Sequence, residues 1–145
     1  MKICFDTNII LDIFARAEQF PESVFAYDIA SIRHFECFIS ASAVTDVAYL
    51  LHRLGNTKPQ TKKTMKTLFE MFSIFDTNEN DCHRALESDI TDYEDALLST
   101  SAERHLIDLI VTRDKRDFKN SEVPIFSPDE FVEQFRPPNY EYAVL

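Results

Sequence analysis

The sequence predicts an α/β domain built on a parallel sheet. Three observations carry that expectation. Short apolar runs at 1–5, 37–39, 73–75, 106–112 and 123–126 alternate with stretches of helical pattern, as repeated strand–helix units do. The run from Leu106 to Thr112 is almost continuously apolar, which suits a strand buried on both faces. No linker and no internal repeat divides the 145 residues. One domain of five strands and about seven helices therefore accounts for the chain, which is long enough for a real core.

The first strand, Met1 to Phe5, stops at Asp6-Thr7-Asn8, and a short helix follows from Ile9 to Phe14 with Thr7 or Asn8 as cap. Asp6 reads equally as a turn or capping residue and as a ligand. Pro21 opens the next helix, to about Arg33, from a favourable first-turn position. After the strand Cys37–Ile39, Ser42 caps a helix that buries Val44, Val47, Ala48 and Leu51 and ends at Gly55. Asp46 falls in its first turn, where a carboxylate suits the helix dipole with or without a further role.

A helix from Asn56 to Phe72 turns Leu68, Phe69 and Phe72 inward and clusters Lys58, Lys62, Lys63 and Lys66. Those lysines are either a solvated face or a contact for phosphate. Ser73–Phe75 is the third strand, and a short helix from Asn80 to Glu87 follows. Thr91 with Glu94 has capping-box spacing for the next helix, whose Ala96, Ser99 and Ala102 permit close approach. Asp92 and Asp95 share one face of its first turn. The fourth strand, Leu106 to Thr112, runs into Arg113-Asp114-Lys115-Arg116-Asp117. Val123–Phe126 is an edge strand that tolerates Pro124, and Ser127-Pro128-Asp129-Glu130 starts a last helix ending near Arg136. Residues 137–145 form a tail outside the domain of residues 1–136.

Composition excludes several functions. The only glycine, Gly55, cannot build a phosphate-cradling glycine loop, which removes Walker-type and Rossmann nucleotide binding. Cys4, Cys37 and Cys82 show no paired spacing and read as buried thiols in a reducing cytosol. No run approaches the length of a membrane span, and MKICFDTN lacks the apolar segment of a signal peptide. His34, His52, His83 and His105 have no motif spacing. A net charge of −10 argues against a general nucleic-acid surface while leaving room for a local basic patch.

The acids point to chemistry. Ligands collect at the carboxyl ends of parallel strands. Asp6 and Asp114 end strands there, and Asp46 and the Asp92/Asp95 pair start helices, at the same edge if each helix follows its strand directly. Like charges so placed repel unless a cation compensates them, and oxygen-only ligands select Mg²⁺ or Mn²⁺. Such ions acidify water and steady the leaving oxygen of a phosphodiester.

These residues carry a family resemblance. Asp6-Thr7-Asn8-Ile9-Ile10-Leu11-Asp12 resembles the opening motif of the PIN-domain family. Asp95-Ala96-Leu97-Leu98 with Ala102 is similar to its third acidic motif, and Val111-Thr112-Arg113-Asp114-Lys115-Arg116-Asp117-Phe118 to its fourth. Ser127-Pro128-Asp129-Glu130-Phe131 matches the usual start of the final helix. The resemblance implies a five-stranded parallel sheet and a metal-dependent ribonuclease, often a VapC-like toxin restrained by an antitoxin. By position it makes Asp6, Asp95 and Asp114 metal ligands, with Asp92 and Asp117 assisting. The family's second acid is usually glutamate, and Asp46 takes its place one methylene shorter.

Two functions follow as expectations, beside a third and duller reading of an α/β domain whose acids are only caps. The first is a Mg²⁺- or Mn²⁺-dependent endoribonuclease acting on single-stranded RNA, with Asp6, Asp46, Asp95 and Asp114 catalytic. The second is a non-catalytic PIN-like module that binds RNA or a protein with a weakened metal site. Lys58, Lys62, Lys63, Lys66 and Arg113 are the expected RNA contacts. A cytoplasmic homodimer, with an antitoxin as possible partner, completes the expectation.

Overall fold

The computed structural model describes residues 1–142. Its strands are β1 (Lys2–Phe5), β2 (Glu36–Ser40), β3 (Ser73–Phe75), β4 (Leu109–Val111) and β5 (Ile125–Phe126). They form one sheet in the order β3-β2-β1-β4-β5, and every pairing is parallel. The helices are α1 (Thr7–Ala15), α2 (Pro21–Ile32), α3 (Ala41–Arg53), α4 (Lys58–Met71), α5 (Glu79–Leu86), α6 (Tyr93–Arg104) and α7 (Pro128–Phe135), with a 3-10 turn at Lys115–Phe118. Seven helices on a five-stranded parallel sheet agree with the sequence expectation.

Alternation along the central strands builds two cores. Ile3 and Phe5 of β1, with Leu109 and Val111 of β4, pack against Ile9, Ile29, Val47, Leu68 and Phe131 on one face. Cys4 and Ile110, the residues between them, face Leu98, Ala102 and Phe118 on the other. Burial on both faces is why β4 has no polar position. The chain runs outward from β1 through β2 to β3, then returns across the sheet to β4 on the other side of β1. The carboxyl ends of β1 and β4 therefore flank the reversal point, where parallel sheets bind ligands. The Asp6 N–H donates to the Val111 carbonyl at 3.0 Å and fixes that corner.

Several boundaries differ from expectation. The fourth strand is shorter than Leu106–Thr112: Leu106 takes a φ of 57° and stands 76 % exposed. There the chain reverses out of α6, as the Ile107 N–H bond to the Ala102 carbonyl shows. Ser40, not Ser42, caps α3, because β2 passes into the helix with no loop between. Asp46 is thereby moved beyond the first turn, where the helix dipole no longer accounts for it. Asp92, not Thr91, caps α6 by accepting from the Asp95 N–H at 3.0 Å. Phe69 points outward while Leu68 and Phe72 are buried. Gly55, at φ 97°, ends α3 as expected.

The described part of the tail is packed rather than extended. Tyr140 is buried in the larger core and its hydroxyl donates to Asp28 Oδ2 at 2.7 Å. Residues 143–145 of the expected tail lie outside the described residues. Cys4, Cys37 and Cys82 are free thiols, but only Cys4 is buried as expected, Cys37 and Cys82 being partly exposed. Among the described residues no helix is long and apolar enough to cross a membrane.

Candidate functional site

The site starts from the corner between β1 and β4. Asp6 is the last residue before α1 and caps it, its Oδ1 accepting from the Thr7 N–H at 2.8 Å. Its Oδ2 accepts from the Thr112 hydroxyl at 2.8 Å. Thr112 is fully buried just beyond β4, and its Oγ1 also accepts from the Asp114 N–H at 3.1 Å. Asn8 closes the corner: its Nδ2 donates to Asp114 Oδ2 at 2.9 Å and reaches Asp6 Oδ2 at 3.4 Å. Two carboxylates are thus oriented by neutral donors that leave both charges uncompensated.

The remaining acids approach from three other elements. Asp95 and Glu94 come from the first turn of α6, Asp46 from α3 and Asp117 from the 3-10 turn. Their proximity registers in acidity. Burial pushes the Asp95 carboxyl up to about 7, and the charges of Asp6, Asp92, Asp117 and Glu94 add to it. Glu94 is raised by burial, then by the neighbouring charge of Asp46. Asp6 is raised by burial and by Asp114 and Asp117, although Thr112 and Thr7 oppose the shift. No lysine or arginine among the described residues forms an ion pair with Asp6, Asp46, Glu94, Asp95, Asp114 or Asp117.

The structure brings Asp6, Asp46, Asp92, Asp95, Asp114 and Asp117 to one rim, yet their side chains do not close on a common point. Among the described residues, no three acids, histidines or cysteines form a group able to hold a metal ion. The donor chemistry still fits a hard divalent cation: oxygen ligands only, mutually repelling, with three carboxyls held above their ordinary range.

The expected RNA contacts divide into two groups. Lys58, Lys62, Lys63 and Lys66 are exposed on α4 and make no ion pair among the described residues. Arg113 is committed elsewhere. Its Nε and Nη2 donate to the buried Asp12 at 2.7 and 3.1 Å, and its guanidinium lies 3.9 Å over the Phe20 ring. Asp12 also accepts from the Ser23 hydroxyl at 2.7 Å. This knot ties α1 and α2 to the residue before Asp114, so Arg113 positions the rim. Beside it lies an open hollow of about 850 Å³, lined by Arg113, Asp114, Lys115, Arg116, Asp117 and Lys119.

Sequence reasoning assigned no site role to Asn8, Asp12, Glu94 or Thr112. Asn8, Asp12 and Thr112 stood inside the quoted motifs, which was their only signal. Glu94 was hidden by the capping box with Thr91, which does not form.

Comparison with known proteins agrees with this architecture. The PIN-domain family profile matches residues 2–116. No curated protein matches the sequence. Among solved structures, the chain is similar to one in VapBC2 from Rickettsia felis bound to a promoter DNA fragment. The TM-score is 0.71 at 15% identity, over 88% of this chain and 98% of that one. A chain of VapBC-1 from Haemophilus influenzae gives 0.65 at 14% identity, covering 89% and 99%. A chain in a toxin–antitoxin complex from Klebsiella pneumoniae gives 0.63 at 20% identity, covering 87% and 97%. At these identities the likeness is one of fold.

Proposed function

The chain belongs to the PIN-domain family, and from that premise we propose a divalent-metal-dependent endoribonuclease that cuts single-stranded RNA as the toxin of a toxin–antitoxin pair. The observation that carries the proposal is Asp95, pushed up to about 7 beside Asp6, Asp92, Asp117 and Glu94, none of which forms an ion pair among the described residues. Asp6, Asp95 and Asp114 would hold the ion, with Asp46, Asp92 and Asp117 at its edge and Glu94 extending the reach of the shorter Asp46. When bound, Mg²⁺ or Mn²⁺ supplies Lewis acidity, which acidifies water and neutralises charge on the phosphodiester.

The chain's own residues do the rest. Thr112 and the Thr7 N–H orient Asp6, and Asn8 holds Asp114 against it. The Asp12–Arg113 pair fixes the backbone that carries Asp114. Lys115, held by Glu130 at 2.8 Å, borders the hollow with Arg116 and Lys119, where the RNA backbone would pass. The toxin–antitoxin complex that shares this fold supports a protein partner. A cytoplasmic homodimer belongs to the same proposal.

A non-catalytic PIN module is favoured by one observation, the lack of a closed three-ligand group among the described residues. Incubation with single-stranded RNA separates the two. The enzyme predicts cleavage with Mg²⁺ or Mn²⁺, none in EDTA, and a loss of at least about a hundredfold in Asp6→Asn with an unchanged circular dichroism spectrum. Equal cleavage by Asp6→Asn and wild type would overturn the catalytic assignment.

A further inference from the structure

Charge on this chain is segregated. Its net charge is −10, yet residues 41–71, which form α3 and α4, carry five basic side chains against two acidic ones. On α3, Asp46, Tyr49 and Arg53 are spaced by three and four residues, so one stripe of the helix carries all three. Asp46 lies near enough to Glu94 at the acidic rim for its charge to raise that carboxyl. Tyr49 lies about 4.5 Å further along the axis. The residue is 58% exposed, and its only ring contact among the described residues is the Arg53 guanidinium, 5.9 Å from the centroid. Arg53 Nη1 also donates to the Tyr49 hydroxyl at 3.2 Å, which braces the ring from one side. By contrast, Tyr27, Tyr140 and Tyr142 all pack against other rings.

A lone exposed aromatic needs no explanation. A braced, open ring one helical turn from a carboxylate rim, leading to a basic helix, matches what single-stranded nucleic acid requires. An open ring face for a base, a cation bracing the other side of the ring, and positive charge for the following phosphates on the next helix come in that order along the chain. We propose that Tyr49 is a stacking platform for a nucleobase next to the scissile phosphate, and that the strand then runs along α3 toward Lys58, Lys62, Lys63 and Lys66. This rests on the ribonuclease proposal and names how that site grips its substrate. A protein partner would not require the alignment of Tyr49 with Asp46.

The test uses a short oligoadenylate carrying one 2-aminopurine, whose fluorescence falls when the base stacks. With wild type, binding should quench the probe. Tyr49→Ala should weaken binding at least about fivefold and abolish the quench, while Tyr49→Phe keeps both. Where cleavage is measured, Tyr49→Ala should raise KM and leave kcat nearly unchanged, and an abasic nucleotide at the stacked position should erase the difference between the variants. Wild-type affinity and quench in Tyr49→Ala would overturn the platform and leave the ribonuclease standing. That is also the result expected if Tyr49 serves a protein partner instead. Failure of wild type either to bind or to cleave RNA would overturn both.

Discussion

Two groups of acids in this molecule are handled in opposite ways. At the end of β3 and α6, Asp76 and the fully buried Asp81 meet Arg104, whose guanidinium bonds Asp81 at 2.9 Å and Asp76 at 2.8 Å. His105 Nε2 lies 2.6 Å from Asp76 as well. The Arg104 and His105 contacts lower the Asp76 carboxyl. Burial works to raise Asp81, but Arg104 and the Asn78 N–H outweigh it and leave it below the ordinary value. At the rim the described residues supply Thr112, Asn8 and backbone N–H groups as donors and no ion pair, and Asp6, Glu94 and Asp95 are raised. The first group is compensated from within. The second has no such ion pair among the described residues, and under the proposed function that difference separates an acidic cluster that holds the fold from one that would take a cation.

The largest effect should come from making the first group resemble the second. Arg104→Met leaves Asp81 buried without its partner, and thermal melting should fall by roughly ten degrees. A change of only a degree or two would mean that Arg104 is dispensable and the contrast is false.

A smaller effect should appear with pH, and the two groups predict opposite signs. Asp76 and Asp81 have lowered pKa values, so their contribution is present above the ordinary carboxylate range and is lost as pH falls. Asp95 is raised to about 7, so its contribution is present in acid and is lost as pH climbs toward 7 and beyond. Metal-free protein should therefore melt several degrees lower at pH 8 than at pH 5.5, and saturating Mg²⁺ should remove most of the alkaline fall. A melting temperature flat across that range in EDTA would show the rim acids to be unstrained.

The smallest effect concerns the lysines, which belong to neither group. Replacing Lys58 and Lys62 by alanine should lower the slope of log affinity for single-stranded RNA against log salt by about 0.7 for each phosphate no longer neutralised. An unchanged slope would return these residues to a solvated helix face.

The rim was legible where the pattern changes period. Asp6 and Asp114 stand where apolar runs stop, and Asp95 stands where a helix starts, so each announces itself locally. The sheet was legible for the same reason, because burial on both faces leaves β4 apolar. What stayed hidden depends on partners distant in sequence. Asp12 meets Arg113 across 101 positions, so an exposed-looking arginine became a positioning residue. Glu94 looked like half of a capping box, and only the cap at Asp92 frees its carboxylate to meet Asp46. Leu106 looked like part of a strand because nothing in its neighbours signals a reversal at positive φ.

Thermal melts of wild type and Asp95→Asn, in EDTA and across a Mn²⁺ titration at fixed ionic strength, test the central claim most directly. A cation that binds only the folded rim adds about 2.7 kcal/mol at a hundredfold excess over its Kd, so wild type should climb steadily with Mn²⁺. Asp95→Asn should start higher in EDTA, because removing that carboxylate relieves more repulsion than its helix-end charge had supplied in stability, and its climb should be blunted. Two parallel curves with the mutant lower throughout would contradict the account and make Asp95 an ordinary helix-start acid.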